Sequence, residues 1–170
     1  DSFREECRVE FADIIKDELP QGEEANFIMN REYNAKIRIQ PDKDKIPFKK
    51  PYKMSSVMLT ELRKQLDELL SKGYIKPSDS PYGAPVLLVP KPHDPKSLRL
   101  VIDYRGINEV TVRDRYPLPT LNQLLLQFKG AKIFSTLDAL SGFWQIPMAP
   151  EDVEKTAMVT EFGSFAWQVM

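Results

Sequence analysis

Apolar and polar positions change their period several times along the chain, and each change marks an element. From Ser55 the apolar residues step by three and four, so Leu59, Leu62, Leu66, Leu69 and Leu70 share one face of a predicted amphipathic helix. Ser55 or Ser56 can cap its start, and Gly73 stands where a helix C-terminus favours a left-handed residue. Upstream, Phe3, Val9, Phe11, Ile14, Ile15 and Leu19 lie among acids and predict a short helix within residues 1–20, stopped by Pro20. Residues 21–30 have no period and read as a linker, residues 33–39 alternate as a strand does, and the lysine- and proline-rich residues 41–51 read as extended chain.

Downstream of a turn-rich segment at Ser78–Gly83, the runs Ala84–Val89 and Leu98–Asp103 predict a hairpin with a long polar loop over Pro90–Ser97. Residues 120–129 predict a second amphipathic helix, capped by Thr120 and stopped by Gly130. Lys132–Asp138 reads as a strand ending in an acid, Pro150–Thr156 as a helical turn, and Ala157–Thr160 with Ser164–Val169 as a hairpin around Glu161, Phe162 and Gly163. The chain is expected to reach Met170 inside a strand. Helix and strand mix without a regular βαβ alternation, so the predicted class is α+β.

Composition narrows the chemistry. A single Cys (Cys7) excludes an internal disulfide and a multi-thiolate zinc site, and a single His (His93) leaves no His-based triad unless His93 serves. His93 reads as an exposed loop residue. No apolar run approaches the roughly 20 residues that cross a bilayer. The sequence opens with neither an initiator Met nor a signal pattern, so it reads as a processed or cut chain from an intracellular protein, cytoplasmic or nuclear. Net charge is −1, but unevenly spread: residues 1–24 hold nine acids and three bases, residues 25–170 hold 16 acids and 21 bases. Lys43, Lys45, Lys49, Lys50 and Lys53 form one basic stretch; Lys91, Lys96, Arg99, Arg105, Arg113 and Arg115 form a second. Such stripes are either solvated surface or a weak phosphate-binding footprint.

The segment from Phe134 to Met148 carries the most specific signal. A strand that ends in Asp138 and runs at once into Ala139, Leu140, Ser141, Gly142 and Phe143 holds its carboxylate rigidly, as metal-assisted phosphoryl transfer requires. On Asp138 alone, a surface aspartate after a core strand is the simpler reading. The whole segment, however, resembles the first palm motif of reverse transcriptases from gypsy-type long-terminal-repeat retrotransposons, close to LD-x-x-SG-Y/F-x-QI-x-M. Further blocks agree in order and spacing: Pro51–Ser55, Leu69–Ser78, Ser80–Val86, Arg99–Asn108, Tyr116–Pro119 and Lys155–Ala157. The likeness covers about residues 45–170 strongly and 1–44 loosely.

The resemblance implies a right-handed polymerase fold, divided into an N-terminal extension and linker (1–44), fingers (45–112), the start of the palm (113–145) and a return into the fingers (146–170). It implies an RNA-directed DNA polymerase that transfers nucleotides from dNTP to a primer 3′-OH, with two Mg²⁺ ions and an RNA/DNA template-primer. Asp138 matches the first metal-binding and catalytic aspartate; Ala139 and Leu140 follow it where the family's backbone meets the triphosphate. Phe143 matches the aromatic gate beneath the incoming deoxyribose, and Lys91 and Arg99 match the basic residues of the fingers hairpin that grip the phosphates. Asp103, Arg105 and Asn108 match a block that contacts the template, with Asp103 and Arg105 expected to double as an ion-paired brace.

The family's other metal ligands stand in an aromatic-x-Asp-Asp hairpin, and no Asp-Asp pair occurs here. The expectation is a piece truncated before that hairpin and inactive alone. It should have an open sheet edge and apolar surface around Phe134, Leu137 and Trp144, covered by a protein partner or a second copy. The alternatives are a domesticated, non-catalytic relative acting as an interaction subunit, and a nucleic-acid-binding module without catalysis.

Overall fold

The computed structural model describes residues 2–12, 14–15, 33–42, 45–92 and 94–170. The expected Pro20 helix stop, the 21–30 linker, Lys43 and His93 lie outside the described residues. Helix α1 covers Ser2–Glu10, inside the stretch its apolar pattern predicts.

Helix α2 (Ser56–Ser71) is the scaffold of the core. Ser55 caps it, its hydroxyl accepting from the Met58 N–H at 3.3 Å. Gly73 has φ +71°, the left-handed conformation that closes a helix at little cost for glycine. Leu62, Leu66 and Leu69 are buried. They pack with Tyr74, Ile75, Val86, Leu88, Met158, Phe165 and Val169 in the main core cluster. Each fully buried leucine removes enough apolar surface from water to stabilise the fold by about 1.5–3 kcal/mol.

That helix lies on a five-stranded sheet of β1 (Ile75–Pro77), β2 (Ala84–Lys91), β3 (Asp94–Ile102), β4 (Met158–Thr160) and β5 (Gly163–Trp167), in the order β1-β5-β4-β2-β3. All neighbours are antiparallel except β2 and β4, which run parallel. Both predicted hairpins are present. The β2–β3 hairpin is tighter than its prolines suggest: β2 continues through Pro90 to Lys91 and β3 begins at Asp94, with a register shift at Pro90/Lys91. Pro90 pairs with Leu98 at a position where its nitrogen is not asked to donate to β3. Strand β1 escapes the sequence pattern because it is three residues long and ends in Pro77, which an edge strand tolerates.

Gly83 is required by close approach. The neighbouring chain forms a parallel bridge between Phe48 and Gly83, with the Lys49 N–H donating to the Gly83 carbonyl at 2.9 Å. A Cβ on Gly83 would stand 2.6 Å from Phe48 Cε2 and 2.7 Å from Val159 Cγ2.

Three expectations are corrected. Residues 33–39 do not form a strand; they make isolated bridges, Ala35 to Met148 and Ile39 to Thr111. Between those bridges side chains take the place of a neighbouring strand: the Ile37 N–H donates to Asp152 Oδ2 at 2.8 Å, and Lys155 Nζ donates to the Ile37 carbonyl at 2.9 Å. Asp152 and Lys155 are themselves paired within the 3-10 helix Pro150–Thr156, the predicted helical turn. Lys132–Asp138 is not a strand either: no described strand pairs with it, and an extended run without a neighbour has no ladder to hold it. Nor does β5 run on to the last residue; it ends at Trp167, and Val169 forms a separate bridge to Pro147.

Helix α3 (Arg105–Val110) follows the β2–β3 hairpin, and α4 (Leu121–Gln127) fills only the middle of its predicted span. Thr120 caps α4 through a capping box with Gln123, yet no residue of α4 is buried. The apolar surface expected near Phe134 and Leu137 is present, with Leu137 96% exposed. Trp144 departs from that expectation. It packs against the core, its ring 5.1 Å from Tyr74 and 6.1 Å from Trp167.

Candidate polymerase site

The sequence from 138 to 145 turns sharply, and the turn divides two adjacent aromatics. Ser141 adopts φ 44°, ψ 50° and starts a 3-10 turn over Gly142–Gln145. Gln145 Nε2 donates to the Leu140 carbonyl at 2.7 Å and closes the loop. Trp144 turns inward onto Tyr74 and anchors it, leaving Phe143 outward and 68% exposed. An exposed flat ring five residues beyond Asp138 is free to meet a planar or sugar-sized partner. Asp138, Ala139 and Leu140 are exposed. The Asp138 carboxylate makes no hydrogen bond or ion pair with a described residue.

The hairpin carries the cationic part. Val89 pairs with Arg99 and Lys91 with Asp94, so Lys91 and Arg99 sit on opposite arms. Both side chains are exposed, and both line an open cleft of about 840 Å³ together with Lys64, Asn108, Trp144 and Trp167. Volumes of this size suit small-molecule sites. Asp138, Ala139, Leu140 and Phe143 do not line it. The structure therefore brings Lys91, Arg99 and Asn108 together on one cleft, whose lining takes in Trp144 but none of Asp138, Ala139, Leu140 and Phe143.

Asp103 and Arg105 form the brace expected of them. Arg105 Nε donates to Oδ1 at 2.7 Å and Nη2 to Oδ2 at 2.8 Å, a bidentate pair that adds geometric specificity to charge. The Tyr52 hydroxyl donates to Oδ2 at 2.8 Å and Lys49 Nζ reaches the same oxygen at 3.5 Å. The Arg105 guanidinium, followed by the Tyr52 hydroxyl, holds the Asp103 carboxyl far below the usual carboxylate range. Asp103 is thus occupied by protein partners, while the Arg105 side chain stays 76% exposed and can still face a ligand. The adjacent Tyr104 turns the other way. Its hydroxyl donates to the Thr156 carbonyl at 2.7 Å, and burial pushes its pKa up.

Divalent metal is the group to test against this donor set. Among the described residues no three His, Cys, Asp or Glu side chains gather where a metal ion could be held. Among the described residues Asp138 has no second carboxylate grouped with it as a metal site, and one carboxylate does not organise two hard cations. The described residues do not make a complete metal site.

Sequence reasoning missed two contributors, Gln65 and Asp152. Both use side chains to satisfy distant backbone, Gln65 on β3 and Asp152 on Ile37. The apolar period of α2 drew attention to its leucines and hid the polar residue that touches the sheet.

The family profile described as "Reverse transcriptase (RNA-dependent DNA polymerase)" matches residues 89–170. The chain is 40% identical over 140 residues to the retrovirus-related Pol polyprotein from transposon opus of Drosophila melanogaster, covering 81% of this chain and 14% of that polyprotein. It is 40% identical over 123 residues to the enzymatic polyprotein of cauliflower mosaic virus (strain Strasbourg), covering 71% of this chain and 18% of that one. Among solved structures, the prototype foamy virus protease-reverse transcriptase superposes with a TM-score of 0.67 at 21% identity, over 99% of this chain and 22% of that one. The foamy viral protease-reverse transcriptase in complex with an RNA/DNA hybrid gives 0.59 at 19% identity, over 81% of this chain and 18% of that one. The chain thus spans about a seventh of the transposon polyprotein it matches. On these matches the chain carries reverse transcriptase domain sequence homologous to retroelement Pol polyproteins, in the α+β fold of the reverse transcriptases of known structure.

Proposed function

We propose that this chain is the fingers and the start of the palm of a reverse transcriptase from a gypsy-type retrotransposon polyprotein, acting in RNA-directed DNA synthesis within a longer polypeptide. The observation that carries the reading is the hairpin geometry, which sets Lys91 and Arg99 on opposite arms and on one cleft, next to a chain whose homologues are Pol polyproteins. Two cations facing one cavity offer electrostatic stabilisation to the charge that builds on a departing pyrophosphate. Asp138 is read as one ligand of the Mg²⁺ pair, with Ala139 and Leu140 beside the triphosphate and Phe143 beneath the sugar. Asn108 and the open face of Arg105 are read as template contacts, braced from behind by Asp103.

The exposed apolar side chains of 118–140 call for cover in the working protein. Further palm strands of the longer polypeptide, or a protein partner or second copy, would supply it. The full-length polypeptide should extend a DNA primer on an RNA template when given dNTP. Absence of extension by a folded, template-binding preparation would overturn the reading.

A further inference from the structure

We propose that Gln65 of α2 is a positioning residue for Arg99, acting as a one-residue substitute for a sixth strand along the outer edge of β3. This role rests on Arg99 being a triphosphate contact, as proposed above.

Strand β3 ends the sheet of described strands, with β2 on one side and no described strand on the other. In an antiparallel ladder the N–H and C=O of one residue point the same way, and successive residues alternate. The Asp103 N–H donates to the Pro85 carbonyl, and Val101 and Arg99 pair with Leu87 and Val89. Residues 99, 101 and 103 therefore direct their backbone groups at β2, and Leu98 and Leu100 direct theirs outward.

The Gln65 amide meets that outward pair. Its Nε2 donates to the Leu98 carbonyl at 2.9 Å, and its Oε1 accepts from the Leu100 N–H at 3.0 Å. This is the bond pattern that one residue of a neighbouring strand would make. The second Nε2 hydrogen donates to Glu61 Oε1 at 2.6 Å, one helical turn earlier. With both donors engaged by acceptors, the amide has one consistent orientation, its oxygen toward Leu100.

Arg99 lies between the two anchored residues. Its side chain is exposed and makes no ion pair with a described residue, so its place is set by its backbone. Val89 holds that backbone from one side and Gln65 holds its neighbours from the other. Loosening the outer edge lets β3 twist and misdirects the guanidinium, although the fold survives on its leucine core.

The test is steady-state kinetics of the full-length reverse transcriptase that carries this sequence, with Gln65→Met, Gln65→Glu, Arg99→Ala and Gln65→Met/Arg99→Ala. Gln65→Met should raise KM for dNTP about fivefold and leave kcat within about twofold. Gln65→Glu keeps the Leu100 bond but turns an acceptor oxygen toward both the Leu98 carbonyl and Glu61 Oε1, so KM should rise at least as far as in Gln65→Met; it also gives a second result should the Met variant fail to fold. In the Arg99→Ala background Gln65→Met should add nothing to KM. A merely structural Gln65 would lower kcat through loss of active enzyme, leave KM in place and add to Arg99→Ala; that result overturns the proposal. If Arg99→Ala itself leaves KM unchanged, the triphosphate reading falls first and the positioning role falls with it.

Discussion

Arg105 holds both carboxylate oxygens of Asp103, with Nε 2.7 Å from Oδ1 and Nη2 2.8 Å from Oδ2, two residues apart at the junction of β3 and α3. The carboxylate is buried and the guanidinium faces water, so the pair orients a cation outward from a fixed base. Asp103→Asn should destabilise the chain by about 1–2 kcal/mol at pH 7, as read by urea unfolding. The sign with pH follows from a carboxyl held below its unfolded value of about 3.9. Its stabilisation is complete above that value and is lost as pH falls from about 4 toward the folded-state value. The gap between wild type and Asp103→Asn should be flat from pH 8 to about pH 5 and shrink at pH 3. A gap that widens on acidification would contradict the brace.

Gly83 separates a packing requirement from a backbone one. Gly83→Ala sets a methyl group against Phe48 and Val159, and should cost about 1–3 kcal/mol by thermal or urea unfolding. Trimming the obstacle in Gly83→Ala/Phe48→Ala should recover part of that loss relative to Phe48→Ala alone. Strict additivity of the two substitutions would show that the contact does not set the cost.

Thr120 tests how independent α4 is. Because no residue of α4 is buried, its capping box is the main local support, and Thr120→Ala should weaken the helix by about 1 kcal/mol. Amide exchange within Leu121–Gln127 should speed up while the melting temperature of the remaining fold stays unchanged. A lower global melting temperature would mean that α4 is part of the cooperative core.

Much of this architecture is written in local pattern. The leucine spacing of α2, its Ser55 cap and Gly73 stop, and both hairpins are local signals, and each is found where the residues point. What escapes local reading depends on partners distant in sequence. Strand β1 needs β5, the parallel β2–β4 contact needs a crossover, and Ile37 is held by Asp152, 115 residues away. Lys132–Asp138 has the composition of a strand without a described neighbour to pair with, so strand propensity alone does not make one. For the site, motif order points to Lys91, Arg99 and Asn108, which share a cleft. It gives no hint of Gln65, whose role is visible only against the edge of β3.

Primer extension by the full-length polypeptide carrying Asp138→Asn tests whether Asp138 belongs to a polymerase centre. The substitution keeps size and removes the charge a hard cation requires. Extension of a DNA primer on an RNA template should fall by at least about 10³-fold, with template binding and melting temperature unchanged. Extension at the wild-type rate would show that Asp138 holds no metal ion in catalysis, and the functional reading of this chain would fail with it.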